Sequence, residues 1–336
     1  MAKNNSNLHG AKKAKNDEFY TQLSDIEKEC VHYRPHFKDK VVFCNCNDAL
    51  HSNFAKYFSL NFEFLGLKKL ICTAYKVDGV HGKVCIYEGD KNGNKVPDID
   101  EWECRLLEGD GGFASEECIE FLKEADIVVT NPPFSLFREY IALLMEYKKK
   151  FLIIGNMNAI TNKDMFPLIK ENKVWAGYKP FGGGMNMIQT EDTFDESKTK
   201  SYKINDKGEI IKNIMGCIWF TNLTHSKRTE PIDLYKKYNA EEYPKYDNYD
   251  AIEVGKVGDI PMDYDGVIGV PITFIGQYCP TQFEIIWQAS GNTRACAPKD
   301  VLEQLNYHQH KEDRGGCCVI NGKRCYSRIL IKRVSK

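Results

Sequence analysis

Four consecutive residues, Asn131, Pro132, Pro133 and Phe134, carry atoms that suit chemistry on an amino group. Asn131 offers a side-chain carbonyl oxygen, and Pro132 offers a main-chain carbonyl whose direction its own ring and Pro133 restrict. Two convergent acceptors match a planar amino group with two N–H donors. Phe134 offers a flat face on which a base can stack. The motif therefore predicts a site that holds an exocyclic amine and leaves its lone pair available to an electrophile.

The segment before this motif, 126–130, is a short apolar run rich in β-branched residues, which is typical of a buried strand. The two prolines end that strand because neither has a backbone N–H, and a helix is expected to begin near Ser135. Ligands of open α/β sheets bind at the carboxyl ends of strands, where this motif would lie. The alternative is a rigid strand-to-helix turn without chemistry.

Strand-like and helical segments alternate along the first two thirds of the chain. Apolar strands are predicted at 40–46, 69–75, 103–108, 126–130, 151–156, 173–178 and 216–221. This alternation predicts an α/β fold with a parallel sheet that is covered on both faces. The stretch 84–100 has a strong turn signal and is expected to be a surface excursion, and 181–187 is expected to be a flexible loop over a base or a linker. Beyond Leu223 the alternation is lost.

Composition limits the function classes that need to be considered. The 336 residues include 46 Lys and Arg and 47 Asp and Glu, so any nucleic-acid binding must come from local patches. No stretch is apolar and long enough to span a membrane, and the polar N-terminus does not resemble a signal peptide. The thirteen cysteines are therefore expected to be reduced thiols of a cytoplasmic protein. No His or Cys spacing fits a zinc pattern, so no metal is expected.

Several motifs, taken in order, resemble the EcoRI-type adenine-specific (N6) DNA methyltransferase family. They are the Phe19-Tyr20-Thr21 segment, Cys44-Asn45-Cys46-Asn47-Asp48, Asp110, Asn131–Phe134 and the tyrosine-rich stretch 246–252. The resemblance implies S-adenosylmethionine (SAM) as the methyl donor. It implies that the cofactor contacts are Phe19, Tyr20, Thr21, Asn45, Asn47, Asp48 and Asp110. The glycine-rich turn that often follows the first strand of such folds is absent, and the residue that holds the ribose stays open.

The resemblance also implies an architecture and a reaction. A basic arm (1–18) would precede a Rossmann-like SAM-binding catalytic domain (19–222), and a smaller irregular region (223–336) would recognise double-stranded DNA. Phosphate contacts are expected from Lys12, Lys13, Lys15, Lys323, Arg324 and Arg328. The enzyme would transfer a methyl group to the N6 amine of an adenine flipped out of the duplex, with Asn131, Pro132, Pro133 and Phe134 as the catalytic motif. A monomer is expected, with a cognate restriction endonuclease as a possible partner.

Other functions remain open at this point. A glutamine side-chain amide in a protein, or an adenine in RNA, presents the same planar amino group to the same two acceptors. A DNA-binding module that has lost its catalytic activity is a further alternative, since the glycine-rich turn is missing.

Overall fold

The computed structural model describes residues 19–46, 48–189 and 201–334 of the protein. These residues form two units. The first holds the described residues up to Met157 together with Phe181–Leu223, and the second holds Asn158–Pro180 and the chain from Thr224 onward. The domain boundaries given above stay a prediction. No helix within the described ranges is both long and apolar enough to cross a membrane.

The first unit is built on one large sheet and one small sheet. Its strands, numbered in chain order over both units, are β1 (Tyr20–Thr21), β2 (Val41–Cys46), β3 (Lys69–Ala74), β4 (Lys83–Tyr87), β5 (Trp102–Leu106), β6 (Ile127–Thr130), β7 (Lys150–Asn156), β9 (Met185–Gln189), β10 (Lys203–Ile204), β11 (Ile210–Ile214) and β12 (Cys217–Thr221). In the large sheet, seven of these strands lie in the order β5-β4-β3-β2-β6-β7-β12.

The large sheet is mixed, which corrects the prediction of a parallel sheet. Strands β3, β2, β6 and β7 run parallel to one another, whereas β4 and β5 at one edge and β12 beside β7 are antiparallel to their neighbours. The described connection between β4 and β5 contains no α-helix, and the two strands pair as an antiparallel hairpin at the edge of the sheet. The stretch 84–100 is therefore part of an edge hairpin rather than an excursion outside the sheet.

Six α-helices of the first unit accompany this sheet in the described part of the chain. They are α1 (Leu23–Cys30), α2 (Arg34–Phe37), α3 (Asn53–Leu60), α4 (Phe62–Leu65), α5 (Glu116–Glu124) and α6 (Phe137–Glu146). Ser52 caps α3 by accepting a hydrogen bond from the Ala55 N–H, and Gly66 ends α4 with a left-handed φ of 63°. Both residue types favour the helix ends at which they lie, although the sequence predicts one helix over 51–66 and the structure has two.

The small sheet of the first unit has the order β1-β9-β11-β10. Its strand β9 corrects the prediction of a flexible loop at 181–187, because Met185 and Met187 are buried in the core. The three glycines that precede β9, residues 182–184, all have positive φ and make the turn into the strand. Strand β1 pairs with β9, with Thr21 opposite Met187, so this sheet places Phe19–Thr21.

The second unit is smaller and less regular. Its elements are β8 (Trp175–Ala176), α7 (Phe166–Lys170), β13 (Ala251–Glu253), β14 (Val267–Pro271), β15 (Phe283–Ala289), α8 (Thr293–Cys296), α9 (Lys299–Gln304), β16 (Val319–Ile320), β17 (Lys323–Arg324) and β18 (Arg328–Arg333). A four-stranded sheet has the order β13-β14-β18-β15, and β16 and β17 form a separate hairpin. The helix and the strand predicted at 164–178 exist but are shorter than expected.

Four cysteines stand in one row across the large sheet. Cys44 lies opposite Cys72, Cys72 opposite Cys85, and Cys85 opposite Cys104, on the adjacent strands β2 to β5. Cys85 and Cys104 form a disulfide, which corrects the expectation that all cysteines are reduced. The physical reason is proximity, because directly opposed residues of an antiparallel pair bring their Cβ atoms within disulfide reach.

Candidate cofactor and amine-binding site

A cleft of about 300 Å³ lies at the carboxyl ends of the parallel strands β2 and β6. Its walls are Phe19, Tyr20, Thr21, Asn45, Ser52, Asn53, Phe54, Thr130 and Asn131. The cleft therefore brings together the three predicted segments Phe19–Thr21, Asn45 and Asn131, which are far apart in the sequence.

The amide of Asn131 is oriented by the chain segment that crosses in front of it. Its Nδ2 donates to the Phe19 carbonyl oxygen at 2.8 Å and lies 3.9 Å from the Met187 sulfur. Since the nitrogen of this amide is held by the protein, the carbonyl oxygen Oδ1 is left as the acceptor for another molecule. This geometry fits the role that the sequence predicts for Asn131.

Thr21, a residue of the cleft wall, has a buried side-chain oxygen without a hydrogen-bond partner in the described chain. The residue is only 4% exposed, and its Oγ1 has no hydrogen-bond partner among the residues that the structure describes. Asn53 fixes the backbone there, because its Nδ2 donates to the Thr21 carbonyl at 2.8 Å. A buried hydroxyl without a partner is costly in a folded protein, so this atom points to a bound polar ligand. The helix α3, capped by Ser52, begins at the same place, and helix N-termini favour anionic groups.

Asn45 is held by three neighbours instead of facing the cleft freely. Its Oδ1 accepts from the Tyr140 hydroxyl at 2.6 Å, and its Nδ2 donates to Thr73 Oγ1 at 3.0 Å. The Thr130 hydroxyl donates to the Asn45 main-chain carbonyl. Asn45 therefore links β2, β3, β6 and α6 at the floor of the cleft, and both ends of its amide already have a protein partner.

Phe134 lies beside the cleft rather than in its wall. Its ring is 6.2 Å from the Phe19 ring and packs partly against the core. Pro132 is buried, and Pro133 precedes a short 3₁₀ turn, Phe134–Leu136, before α6 begins. The corner is thus fixed between a buried strand and a helix, as the two prolines predict. Neither proline nor Phe134 belongs to the cleft lining.

Two predicted cofactor residues have local structural partners instead of a place in the cleft. Asp48 Oδ1 accepts from the N–H groups of Leu50 and His51, and Asp110 Oδ1 accepts from the Gly112 N–H. Both carboxylates therefore stabilise turns. Asn47 lies outside the described residues.

The predicted DNA contacts differ in their surroundings. Lys323 and Arg324 are exposed on β17. Arg328 is less accessible, because its guanidinium forms a mostly buried ion pair with Glu253 at 2.6 Å; its contact with DNA stays a prediction. Burial opposes the charge of Arg328, but the hydrogen bonds to Glu253 outweigh it and raise the pKa of the guanidinium. Lys12, Lys13 and Lys15 lie outside the described residues.

Four residues of the cleft were not predicted as site residues. Ser52 and Asn53 begin α3, and the signal that could have found them is the capping serine directly after the first strand. Phe54 was assigned to the core stripe of that helix, and Thr130 was treated only as the end of a strand. Within the described part of the chain, no three His, Cys, Asp or Glu side chains are grouped as a metal site.

Comparison with known proteins agrees with the sequence motifs. The profile of the family described as "Adenine-specific methyltransferase EcoRI" matches residues 7–334. The Type II methyltransferase M.EcoRI of Escherichia coli is 46% identical, with 99% of this chain and 98% of that protein aligned. The Type II methyltransferases M.MgeORF184P of Mycoplasma genitalium and M.MpnI of Mycoplasma pneumoniae are 39% and 38% identical, each over 96% of this chain and 97% of their own length. No solved structure matches this chain significantly.

Proposed function

Because the chain belongs to the EcoRI family of adenine-specific methyltransferases, we propose that it methylates the N6 amine of adenine in double-stranded DNA with SAM as the donor. The observation that carries this proposal is the orientation of Asn131. Its amide nitrogen is bound to the Phe19 carbonyl, so its oxygen is the atom left for a substrate amine. The Type II names of the relatives favour DNA over RNA or protein as the substrate.

The cleft residues fit SAM. The unsatisfied Thr21 hydroxyl and the N-terminus of α3 are suited to the carboxylate of an amino acid, which SAM carries. Phe19 and Tyr20 add aromatic surface, and Asn45 contributes by holding the floor of the cleft. When bound, SAM supplies an electrophilic methyl group. Asp48, Asp110 and Asn47 stay predicted contacts whose role only a cofactor complex would test.

The residues of the Asn-Pro-Pro-Phe corner would act on the adenine. An adenine within the stacked duplex cannot reach a cleft, so the base must rotate out of the helix. Phe134 offers it a stacking face, while Asn131 Oδ1 and the Pro132 carbonyl accept its two amine N–H groups. These contacts align the nitrogen lone pair away from the protein acceptors. Catalysis then rests on positioning and electrostatics.

The order of proton movement follows from the same contacts. The neutral amine provides the lone pair, so no base must remove a proton beforehand. The nitrogen would become cationic as its bond to the methyl carbon forms and the bond between that carbon and the sulfonium sulfur breaks, which leaves a neutral thioether. The hydrogen bonds to Asn131 and Pro132 would strengthen at that moment. A proton then leaves to solvent.

The large sheet and the region from 223 onward have separate roles in this proposal. The large sheet is the Rossmann-like SAM-binding domain, and the region from 223 onward recognises the DNA sequence. Lys323 and Arg324 contact phosphates, because they are exposed cations on a hairpin. The basic arm 1–18 adds further phosphate contacts, and the enzyme acts as a monomer on one strand at a time.

The test is methyl transfer from radiolabelled SAM to duplex DNA, RNA or protein, by the wild type and by Asn131→Ala. We expect label in duplex DNA that digests to N6-methyladenine. We expect Asn131→Ala to lose at least about 100-fold in turnover, in line with loss of one transition-state acceptor, while SAM affinity by calorimetry stays within a few fold.

Phe134→Ala is the companion variant, because it removes the stacking face at a residue outside the cleft lining. It should weaken base capture, measured by fluorescence of 2-aminopurine at the target position, more than SAM binding. Near-normal turnover of Asn131→Ala would remove the proposed role of that residue. Label in protein alone would move the substrate to a glutamine amide, and no SAM binding would leave a DNA-binding module.

A further inference from the structure

The connection between β4 and β5 carries oxygen-bearing side chains at fixed intervals. Counted from Asp90, positions 1, 3, 5, 9 and 12 are Asp90, Asn92, Asn94, Asp98 and Glu101. This is the ligand spacing of the twelve-residue calcium loop, in which position 7 adds its main-chain carbonyl and position 12 a bidentate glutamate. We propose that residues 90–101, hereafter the 90–101 loop, bind one calcium ion.

The backbone of the 90–101 loop is wound as such a site requires. Asp90 Oδ1 accepts from the Gly93 N–H and its Oδ2 accepts from the Lys95 N–H, both at 2.6 Å. Lys95 stands at position 6, where the consensus has a glycine for the sharp turn, and it has the left-handed φ of 63° that such a glycine supplies. The turn therefore exists although the glycine does not.

Three of the side chains converge on one point. The amides of Asn92 and Asn94 both donate to Asp98 Oδ2, at 2.8 and 2.7 Å. A cation at this point would meet the Asp98 carboxylate directly, and the two amides would turn their oxygens toward it. The three carboxylates are not grouped as a metal site by themselves among the described residues, so the site needs the two asparagines as well.

A separate observation points to a missing positive charge. Glu101 is only 3% exposed, and neither it nor Asp90 nor Asp98 forms an ion pair within the described chain. Glu101 accepts hydrogen bonds from the N–H groups of Lys91, Asn92 and Asp98, at 2.7, 3.3 and 2.9 Å, and from the Tyr87 hydroxyl at 3.5 Å. These donors satisfy the carboxylate oxygens but bring no positive charge, which a divalent cation would supply.

The donor set selects the type of cation. All the donors are oxygens, which hard cations prefer, and no sulfur or imidazole ligand stands at a ligand position of the loop. Five side chains and the Val96 carbonyl exceed what Mg²⁺ usually takes from a protein, because Mg²⁺ keeps several waters. Calcium accepts more oxygen ligands with flexible geometry. The bound ion would fasten the edge hairpin β4–β5 and takes no part in methyl transfer.

Terbium luminescence tests the proposal on the full chain after removal of metals with a chelator. Tb³⁺ replaces Ca²⁺, and Trp102, directly after Glu101, is a natural energy donor for its emission. We expect emission that saturates at one ion per chain and is displaced by Ca²⁺ at far lower concentration than by Mg²⁺. Asp90→Asn should weaken binding about ten-fold or more, and Asn94→Asp, which adds a ligand charge, should strengthen it.

Asp100→Asn is the matched control, since it removes an exposed acid of the same loop at a position that binds nothing in the pattern. Its affinity should equal that of the wild type. Equal losses in Asp100→Asn and Asp90→Asn would show a diffuse acidic surface and overturn the proposal. Absence of Ca²⁺ binding up to about 1 mM by calorimetry, the weakest class of such loops, would also overturn it. Circular dichroism of each variant separates loss of binding from loss of folding.

Discussion

The hydroxyl group of Thr21 is the group that we expect to hydrogen-bond to the bound cofactor. It is buried against the cleft without a hydrogen-bond partner in the described chain. The fold therefore accepts a cost at this atom that a bound ligand could remove. Serine and valine are suitable replacements, because serine keeps the hydroxyl whereas valine keeps the shape.

We expect Thr21→Val to weaken SAM binding by about ten-fold, which corresponds to one hydrogen bond of roughly 1 to 1.5 kcal/mol. Without SAM, the same variant should have an unchanged or higher melting temperature, because an unsatisfied buried hydroxyl is gone. Thr21→Ser should stay closer to the wild type in affinity. Calorimetry measures the affinity for SAM, and thermal unfolding without SAM measures the melting temperature. Unchanged affinity in Thr21→Val would exclude this hydroxyl as a ligand contact.

The helix α6 follows the Asn-Pro-Pro-Phe corner, so the packing of α6 against the sheet determines where the corner lies. Gly155 on β7 allows the first residue of α6, Phe137, to pack closely against the sheet. A Cβ added at Gly155 would lie 2.4 Å from Cε2 of Phe137, the first residue of α6. Real side chains do not approach so closely, so α6 or β7 would have to move.

Gly155→Ala is therefore expected to impair catalysis more than cofactor binding, with a loss of about 1 to 3 kcal/mol in stability from overpacking. Gly258→Ala is the control, because its added Cβ meets nothing within 4 Å and its φ needs no glycine. Denaturant unfolding and steady-state kinetics measure the two effects. A Gly155→Ala enzyme with normal turnover and stability would show that α6 adapts without disturbing the corner.

At the scale of the whole chain, Arg328 stabilises the second unit through an ion pair. It stands on β18, and its partner Glu253 stands on β13, so the ion pair reaches across β14 in the sheet of the second unit. Both side chains are mostly buried, at 14% and 13% exposure. Removing one partner of such a pair leaves a buried charge uncompensated.

Arg328→Met should therefore lower the free energy of unfolding by about 3 kcal/mol, and the double variant with Glu253→Gln should recover part of that loss. Urea unfolding of the two single variants and the double variant gives the coupling energy. If Arg328→Met were as stable as the wild type and lost only DNA affinity, the result would support a contact between Arg328 and a phosphate. Lys323→Ala, on the exposed hairpin, is the comparison for DNA binding without a stability change.

The parts of the fold that follow from local pattern could be predicted, and the parts that depend on distant partners could not. Strands β2, β3, β6 and β7 are apolar runs bounded by turn residues, so their positions are readable from the sequence. Strands β4 and β5 run antiparallel to their neighbours, and this direction depends on pairing with other strands rather than on their own residues. Met185 and Met187 are buried only because β9 pairs with β1 and β11, which no local signal reveals.

The same distinction applies to the site. Asn131, Phe19, Thr21 and Asn45 were predicted from motifs, and the structure brings them to one cleft. The pairing of Arg328 with Glu253 joins residues 75 positions apart and could not be read locally. Tyr140 was likewise missed as the partner of Asn45, because it looked like one more apolar residue on the buried face of a helix.

The row of four cysteines across β2 to β5 can also report how the strands at the sheet edge separate during unfolding. Cys104 is exposed on the outermost strand, whereas Cys85, Cys72 and Cys44 are each completely buried. Once the disulfide is reduced, an alkylating reagent should modify Cys104 at once, and each further thiol only when one more strand has separated. The number of labels on these four cysteines, followed over time by mass spectrometry of the peptides, would therefore count how many strands separate before the whole sheet unfolds.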